Sequence, residues 1–277
     1  MDKRIDLHPE KIEYSWKDKQ KGIILPKYLS EDLAYLVGVH IGDGTMNIYR
    51  KPRLVEYKQG IFGHAINDKD FHLLVLLPLF EKLFNFRPKT RMNCHGCHSI
   101  YFTSKAITTF FNKCLDLPLG KKSEVIDIPK FIQLAGPKYY LECIRGVFDT
   151  DFILSFKNKN KTVHNYPIIE LKTSSSKLVV TISELLNDIG ISNFTSKRLI
   201  DDPRFKSITK QFVVTSSGRK NLKKWFELIS SKNPSYLSRY AVYRKYGFCP
   251  PYTNYEERKK ILLGQIDPRE YYGHART

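Results

Sequence analysis

The pattern of apolar and polar positions predicts that one succession of helices and strands occurs twice along the chain. Near residue 30, and again near residue 137, an apolar segment of helical length precedes two stretches with the two-residue period of strands. A second helix, two more strand-like stretches and a third helix follow in each case. We therefore predict two copies of an αββαββα unit, a weak internal repeat of roughly a hundred residues.

The two copies define the domain boundaries that we expect. Residues 1–29 form an N-terminal extension, 30–114 the first half and 137–232 the second half. Residues 115–136, which contain several Pro and Lys, connect the halves. Residues 233–277 form a C-terminal tail that packs on the second half or extends it.

Charge narrows the class of partner. The chain of 277 residues has 46 Lys and Arg against 28 Asp and Glu, a formal net charge of +18. This excess is larger than solubility requires and indicates a polyanionic partner, with nucleic acid first.

Membrane insertion is not expected, because no long uncharged apolar run is present. The first residues lack the apolar stretch of a secretory signal, so we expect an intracellular protein, in the cytoplasm or an organelle matrix.

Two apolar helices carry the strongest motif. Residues 36–44 read LVGVHIGDG and residues 144–152 read IRGVFDTDF. Residues four apart lie on one helical face, and small ones there let two helices approach backbone to backbone. The small pairs are Gly38 with Gly42, and Gly146 with Thr150.

Each of these helices ends in an acid, Asp43 or Asp151. A carboxylate at a helix C-terminus faces the negative end of the helix dipole, and such broken local rules often mark functional sites. If the helices pack side by side, both carboxylates lie at one end of the seam, where they would bind Mg²⁺. Phosphodiester hydrolysis uses such ions.

Both nonapeptides resemble the LAGLIDADG signature, and the chain with its two copies resembles the single-chain homing endonucleases. The acids are 151 − 43 = 108 residues apart, and the second copy departs from the signature at Phe152, where glycine is usual. The resemblance implies an α+β fold, a saddle of two antiparallel sheets along the DNA major groove with the signature helices at the central interface. It also implies a monomer that uses Mg²⁺ to cut both strands of a long double-stranded DNA target.

The resemblance assigns roles to single residues. Asp43 and Asp151 match the metal-binding catalytic acids, and the carbonyl groups of Gly42 and Thr150 match further metal ligands. Gly38 and Gly146 match the helix interface. Asp149 matches another acidic position, for which we expect a structural or supporting role.

The family often has a basic or amide residue near the end of the second strand of each half. Lys172 fits this position in the second half. In the first half, His64 and Asn67 are the nearest candidates, and we take His64 as the catalytic one.

DNA contacts should come from strand residues, whose side chains can reach phosphates and base edges from one face of a sheet. The candidates are Arg50, Arg53, Lys58, Gln59, Lys157, Lys159, Lys197, Arg198, Lys206 and Lys210.

Phe152 leaves an alternative open: the same scaffold can serve as an RNA maturase that binds intron RNA, or as a DNA-binding protein that does not cut. Because a left-handed conformation is costly for phenylalanine, we also expect the chain to leave the second signature helix differently from the first.

A second alternative rests on residues 94–98, Cys-His-Gly-Cys-His, which could hold zinc in a nucleic-acid-binding module. The string does not recur, so we interpret it as a hairpin turn at Gly96.

Overall fold

The computed structural model describes residues 4–93, 96–159, 162–202 and 207–273, and within them the predicted repeat is present. A short helix, α1 (Trp16–Gln20), precedes the first copy. That copy contains α2 (Glu31–Gly42), β1 (Gly44–Lys51), β2 (Leu54–His64), α3 (Lys69–Phe71), a π-helical turn (His72–Leu76), α4 (Leu77–Phe84), β3 (Lys89–Met92), β4 (Cys97–Thr103) and α5 (Lys105–Lys113).

The connection between the halves contains a helix that the sequence pattern missed, α6 (Lys130–Leu134). The second copy consists of α7 (Pro137–Phe148), β5 (Phe152–Lys157), β6 (Tyr166–Thr173), α8 (Ser176–Asp188), β7 (Phe194–Asp202), β8 (Ser207–Ser217) and α9 (Arg219–Leu228). The tail forms α10 (Pro234–Tyr246), α11 (Tyr255–Leu262) and α12 (Glu270–Gly273).

Each half contains one four-stranded antiparallel sheet, and the two sheets have the same topology. Their strand orders are β1-β2-β4-β3 and β5-β6-β8-β7. This arrangement confirms the predicted α+β fold with two pseudo-symmetric halves.

One face of each sheet packs against helices and the other is open. Along β5, Phe152, Leu154 and Phe156 are buried, whereas Ile153 and Lys157 between them are exposed. This alternation follows from the two-residue period of a strand. We call the side away from the core the open face.

The two signature helices, α2 and α7, form the centre of the molecule. Residues 33–41 of α2 are all buried, as expected for a helix with apolar residues on every side. The Ser30 hydroxyl caps its start by accepting a hydrogen bond from Leu33 N at 3.2 Å.

Pro78 lies in the first turn of α4, where a missing N–H is tolerated, and the π-helical turn precedes this helix. Within the described residues, no helix is both long and apolar enough to cross a membrane.

Candidate active site

The seam between α2 and α7 depends on glycines. A Cβ on Gly38 would lie 2.0 Å from the carbonyl oxygen of Cys143, and a Cβ on Gly146 would lie 2.2 Å from that of Tyr35. Both distances are far below van der Waals contact, so only glycine permits this approach. The structure thus places both predicted interface glycines where the two backbones meet.

At the end of the seam nearest the acids, the two helices contribute different small residues, Gly42 and Thr150. Thr150 fills the space beside Gly42: a Cβ on that glycine would lie 2.0 Å from the Thr150 hydroxyl oxygen. The hydroxyl donates within its own helix end, toward the carbonyl groups of Gly146 and Val147. The closeness brings the two helix ends, and the acids that follow them, together.

Asp43 and Asp151 lie at corresponding positions of the repeat, just beyond the two helices: Asp43 is the C-cap residue of α2, and Asp151 is three residues beyond the end of α7. The backbone N–H of Asp43 donates to Val39 O at 3.1 Å, and that of Asp151 donates to Val147 O at 2.9 Å. Within the described residues, neither carboxylate has a hydrogen-bond or ion-pair partner.

Burial raises the pKa of both acids. The pKa of Asp43 rises to about 8, because burial and then the negative charges of Asp151 and Asp68 disfavour its ionised form. Burial also raises the pKa of Asp151, and the charge of Lys122 opposes this shift. The surroundings therefore do not balance two ionised carboxylates here, and a nearby positive charge would stabilise them.

Lys122 brings a positive charge to this site from the connection between the halves. Its ammonium donates to the carbonyl oxygens of Ile41 and Gly42, each at 2.6 Å, and to that of His40. It thus satisfies the free carbonyls at the end of α2. Burial lowers its pKa to about 8, although both acids act in the opposite direction.

Asn233 takes the equivalent place in the second half. Its side-chain amide donates to the carbonyl oxygen of Asp149 at 2.9 Å. Since 149 − 41 = 108, this carbonyl corresponds to that of Ile41, which Lys122 contacts. The two helix ends are therefore capped by different groups, a charged ammonium and a neutral amide.

Asp68 adds a third carboxylate on the side of Asn233. It accepts from the Asn233 amide at 3.2 Å and from the backbone N–H of His64 at 2.7 Å. Asp68 is the N-cap residue of α3, and the N-cap residue of α8 in the second half is Ser175. We call Lys122 with its carbonyls the lysine flank, and Asn233 with Asp68 the amide flank.

Asp149 is buried behind the acids. Its carboxylate accepts from the Tyr35 hydroxyl at 2.6 Å, from the backbone N–H of Lys232 at 2.8 Å and from the Ser231 hydroxyl. Burial raises its pKa to about 6, and these hydrogen bonds oppose the shift. This fully bonded carboxylate fits the supporting role that we expected.

Neither His64 nor Lys172 contacts the paired acids. His64 is exposed at the end of β2, where its Nδ1 accepts from the backbone N–H groups of Ile66 and Asn67. Lys172 forms an ion pair with Glu170 at 2.7 Å. Catalytic roles for both residues stay predictions.

The residues predicted to contact DNA lie on different sides of the two sheets. Strand register places Lys58, Lys157 and Arg198 on the open faces. Lys58 lies opposite Asn47, and Lys157 lies opposite Tyr166. Arg53 is exposed in the β1–β2 turn. Lys159 follows β5, with its ammonium 3.3 Å from the centre of the Tyr166 ring.

Four candidates need correction, and one cannot be placed. Gln59 is buried on the helix side, where its amide donates to the Thr108 hydroxyl at 3.3 Å, so a DNA contact is wrong for it. Arg50, Lys197 and Lys210 are exposed, but their registers place them on the sides of their hairpins opposite the open faces. Lys206 lies outside the described residues.

The zinc alternative gains no support from the described part of residues 94–98. His98 forms an Nδ1 to Nδ1 contact of 2.8 Å with buried His72, and Gly96 has a φ of 71°, which suits the expected turn. Among described residues, potential metal ligands group in threes only at half-buried Asp6 with exposed His8 and Glu10. Cys94 and His95 lie outside the described residues.

The similarity of this chain to known proteins is weak in sequence and clear in fold. No family model matches the chain. It is 29% identical over 205 residues to an A-type ATP synthase subunit of Pyrococcus abyssi, an alignment that covers 74% of this chain but only 17% of that protein.

Among solved structures, mesophilic variants of the homing endonuclease I-DmoI match 73% of this chain and 96% of theirs, with a TM-score of 0.50 and 20% identity. I-DmoI in complex with DNA and Ca has a TM-score of 0.51 at 20% identity, over 73% of this chain and 91% of that one. A mutant of I-SmaMI matches 90% of this chain and 100% of its own, with a TM-score of 0.51 and 14% identity. At sequence identities of 20% or less, this structural similarity shows a shared fold.

Proposed function

We propose that this chain, which has the fold of the homing endonucleases, is a site-specific endonuclease that uses Mg²⁺ to break both strands of a long DNA target. The observation that carries this proposal is the pair Asp43 and Asp151, held at one end of a glycine seam. Both acids come from one chain, so a monomer has a complete site.

The residues present fit a divalent cation. Two carboxylates with raised pKa values and no partner among the described residues would hold Mg²⁺, which prefers oxygen ligands. The Gly42 carbonyl already accepts from Lys122, but a carbonyl oxygen has two lone pairs, so it stays a proposed ligand with that of Thr150. When bound, the ion activates water and stabilises charge on phosphate oxygens.

Lys122 is positioned to assist the chemistry directly. Its ammonium is fixed by carbonyl groups and lies within electrostatic range of both acids. A buried positive charge stabilises the negative charge that develops on a phosphate group during hydrolysis. Because all three N–H groups of the ammonium already donate to carbonyl oxygens, Lys122 would act through its positive charge.

The two flanks make the site chemically unequal. The lysine flank presents a positive charge, whereas the amide flank presents a neutral amide and the Asp68 carboxylate. If each flank serves one DNA strand, the strand at the lysine flank is cut first and a nicked intermediate accumulates.

Phe152 does not explain such an inequality. It is 2% exposed, with its ring centre 5.3 Å from that of Trp225 and 5.8 Å from that of Phe148. Neither Phe152 nor Gly44 has a positive φ. The expected difference in the chain's exit is present, because α7 ends at Phe148, two positions earlier in the repeat than α2 at Gly42. Backbone strain at Phe152 is wrong as its cause, because that residue begins β5 within an aromatic cluster.

The open faces supply the docking surface for DNA in this proposal. Lys58, Lys157 and Arg198 project from them, and the chain's net charge of +18 favours a polyanion.

The proposal is tested by selecting cleaved molecules from a random DNA library in the presence of Mg²⁺. We expect recovery of one long sequence with both strands cut. Specific binding of a DNA sequence without cleavage would favour the non-cutting alternative, and preferential binding of intron RNA would favour the maturase.

A further inference from the structure

The C-terminal tail covers the edge of the second sheet. Strand β5 is at that edge, and α10 runs along it. The Tyr236 hydroxyl donates to the carbonyl oxygen of Phe152, and the Arg239 guanidinium donates to that of Leu154 at 2.6 Å. The tail therefore follows β5 away from the active site.

Beyond α10 the tail displays one aromatic side chain entirely to solvent. Tyr252 has a relative exposure of 103%, the largest among the exposed apolar and aromatic residues. Its φ of 58° lies in the left-handed region, which is unfavourable for a residue with a side chain. Strained conformations persist only where surrounding structure imposes them, and they concentrate at functional sites.

The loop that carries Tyr252 is firmly held. Pro250 and Pro251 precede the tyrosine, and the Thr253 hydroxyl donates back to Pro250 O at 3.1 Å. The fully buried Arg258 guanidinium donates to the Thr253 carbonyl. The ring is thus presented on a rigid support, so a contact with it would cost little conformational entropy.

The surroundings of the ring suit a polyanion. Tyr252 borders a cleft of about 230 Å³ whose lining includes Ser155, Lys157, His164 and Arg239 and contains no acidic residue among the described ones. The first two lie on the open face of β5, in alternation with the buried strand residues. The cleft therefore adjoins the surface to which we assign DNA.

The distance between this cleft and the two acids indicates which base pairs of a bound duplex the cleft would face. Lys157 is six residues beyond Asp151 along an extended strand, a span of about 20 Å. Duplex DNA rises 3.4 Å per base pair, so this span corresponds to about six base pairs.

We propose that Tyr252 contacts the DNA duplex about six base pairs from the centre of the target, with its ring against the sugar–phosphate backbone and the groove edge. This inference rests on the proposed function. The neighbouring Lys157 ammonium pairs with phosphate, while the tyrosine ring gives contact area.

In the described part of the first half, a different segment occupies the place that corresponds to the tail. There the connection between the halves contacts the equivalent strand through the backbone N–H of Gly120, which donates to Met46 O at 2.8 Å. Met46 corresponds to Leu154, because 154 − 46 = 108. The residues after Gly120 are Lys121 and Lys122, so this connection offers no counterpart of Tyr252; the exposed aromatic residue on this half's open face is Tyr49 of β1.

The test is a duplex-length series with the selected target in Ca²⁺, comparing the wild type with Tyr252→Ala, Tyr252→Phe and the control Trp16→Ala, whose ring is 69% exposed elsewhere. On a duplex with ten base pairs either side of the cleavage centre, we expect Tyr252→Ala to raise Kd about tenfold, with little change for the other two variants. Truncating the second-half arm to four base pairs should remove the difference, whereas truncating the other arm should preserve it.

Equal Kd values for the wild type and Tyr252→Ala on every duplex would overturn the inference while leaving the nuclease proposal intact. A difference that survives both truncations would also overturn it, because the effect would then be on folding or elsewhere on the surface. A wild type that binds none of these duplexes would contradict the proposed function itself.

Discussion

At the scale of single residues, the ionisation of Asp43 should make the stability of the folded protein depend on pH. Its folded-state pKa of about 8 is above its ordinary value near 4. The folded, metal-free protein therefore binds a proton that the unfolded chain releases between these values. Its stability should fall as pH rises from about 4 to 8.

Asp43→Asn removes this penalty. We expect the variant to unfold at a temperature higher than the wild type by roughly 3 °C or more at pH 9, with little gain at pH 4.5, in thermal melts with EDTA. The matched control is Asp149→Asn, which should lose stability because three donors need its carboxylate. An equal gain for Asp43→Asn at both pH values would contradict the assigned charge repulsion.

Lys122 determines the expected order of strand cleavage. Lys122→Met should slow cutting of one strand by roughly a hundredfold, since a preorganised charge is lost from the lysine flank, and should spare DNA binding. Time courses with each strand separately end-labelled measure this. Lys121→Met is the control, because among the described residues that exposed side chain pairs with Glu124 alone, at 3.0 Å. Equal slowing of both strands would show that Lys122 has no strand preference.

Lys122 and Asn233 also show where sequence reasoning ends. Asp43 and Asp151 were predictable because a motif places each acid at a helix end. Lys122 reaches carbonyls about 80 positions earlier through an irregular connection, which no periodicity marks. Asn233 could be found only after the repeat fixed which carbonyl corresponds to that of Ile41.

At the scale of elements, the seam between α2 and α7 should tolerate no Cβ. Alanine normally favours a helix over glycine by about 1 kcal/mol. Here the Cβ of Gly146→Ala would overlap the Tyr35 carbonyl, so we expect a net loss of roughly 1–3 kcal/mol or failure to fold. Urea unfolding measures this, with exposed Ser176→Ala in α8 as the control. A stabilised Gly146→Ala variant would contradict the close packing.

The strands were predictable from their two-residue period, but their facing was not. In β2, Lys58 and Gln59 are both polar, so the sequence does not indicate which of them points inward. The structure buries the glutamine against Thr108. Facing follows from register, which tertiary packing determines. The connection between the halves and the C-terminal tail show no regular spacing of apolar residues. The sequence therefore did not predict α6 or the last three helices.

At the scale of the whole molecule, DNA affinity should depend steeply on salt. A sheet surface that meets many phosphates releases counterions, with a log–log slope of about −0.9 for each phosphate neutralised. Lys157→Met should reduce the magnitude of the slope by about one phosphate. Lys210→Met, on the opposite side of its hairpin, should leave the slope unchanged. Identical slopes for both variants would contradict the open face as the docking surface.

The central claim is that Asp43 and Asp151 together form the metal site of a DNA endonuclease. Its most direct measurement is cleavage of the selected target in Mg²⁺ by the wild type, Asp43→Asn and Asp151→Asn, with DNA binding in Ca²⁺ measured in parallel. We expect either substitution to abolish double-strand cleavage and to leave the fold and binding intact, because each removes a ligand's charge while keeping its volume. Wild-type rates of Mg²⁺-dependent cutting by either variant would contradict the claim.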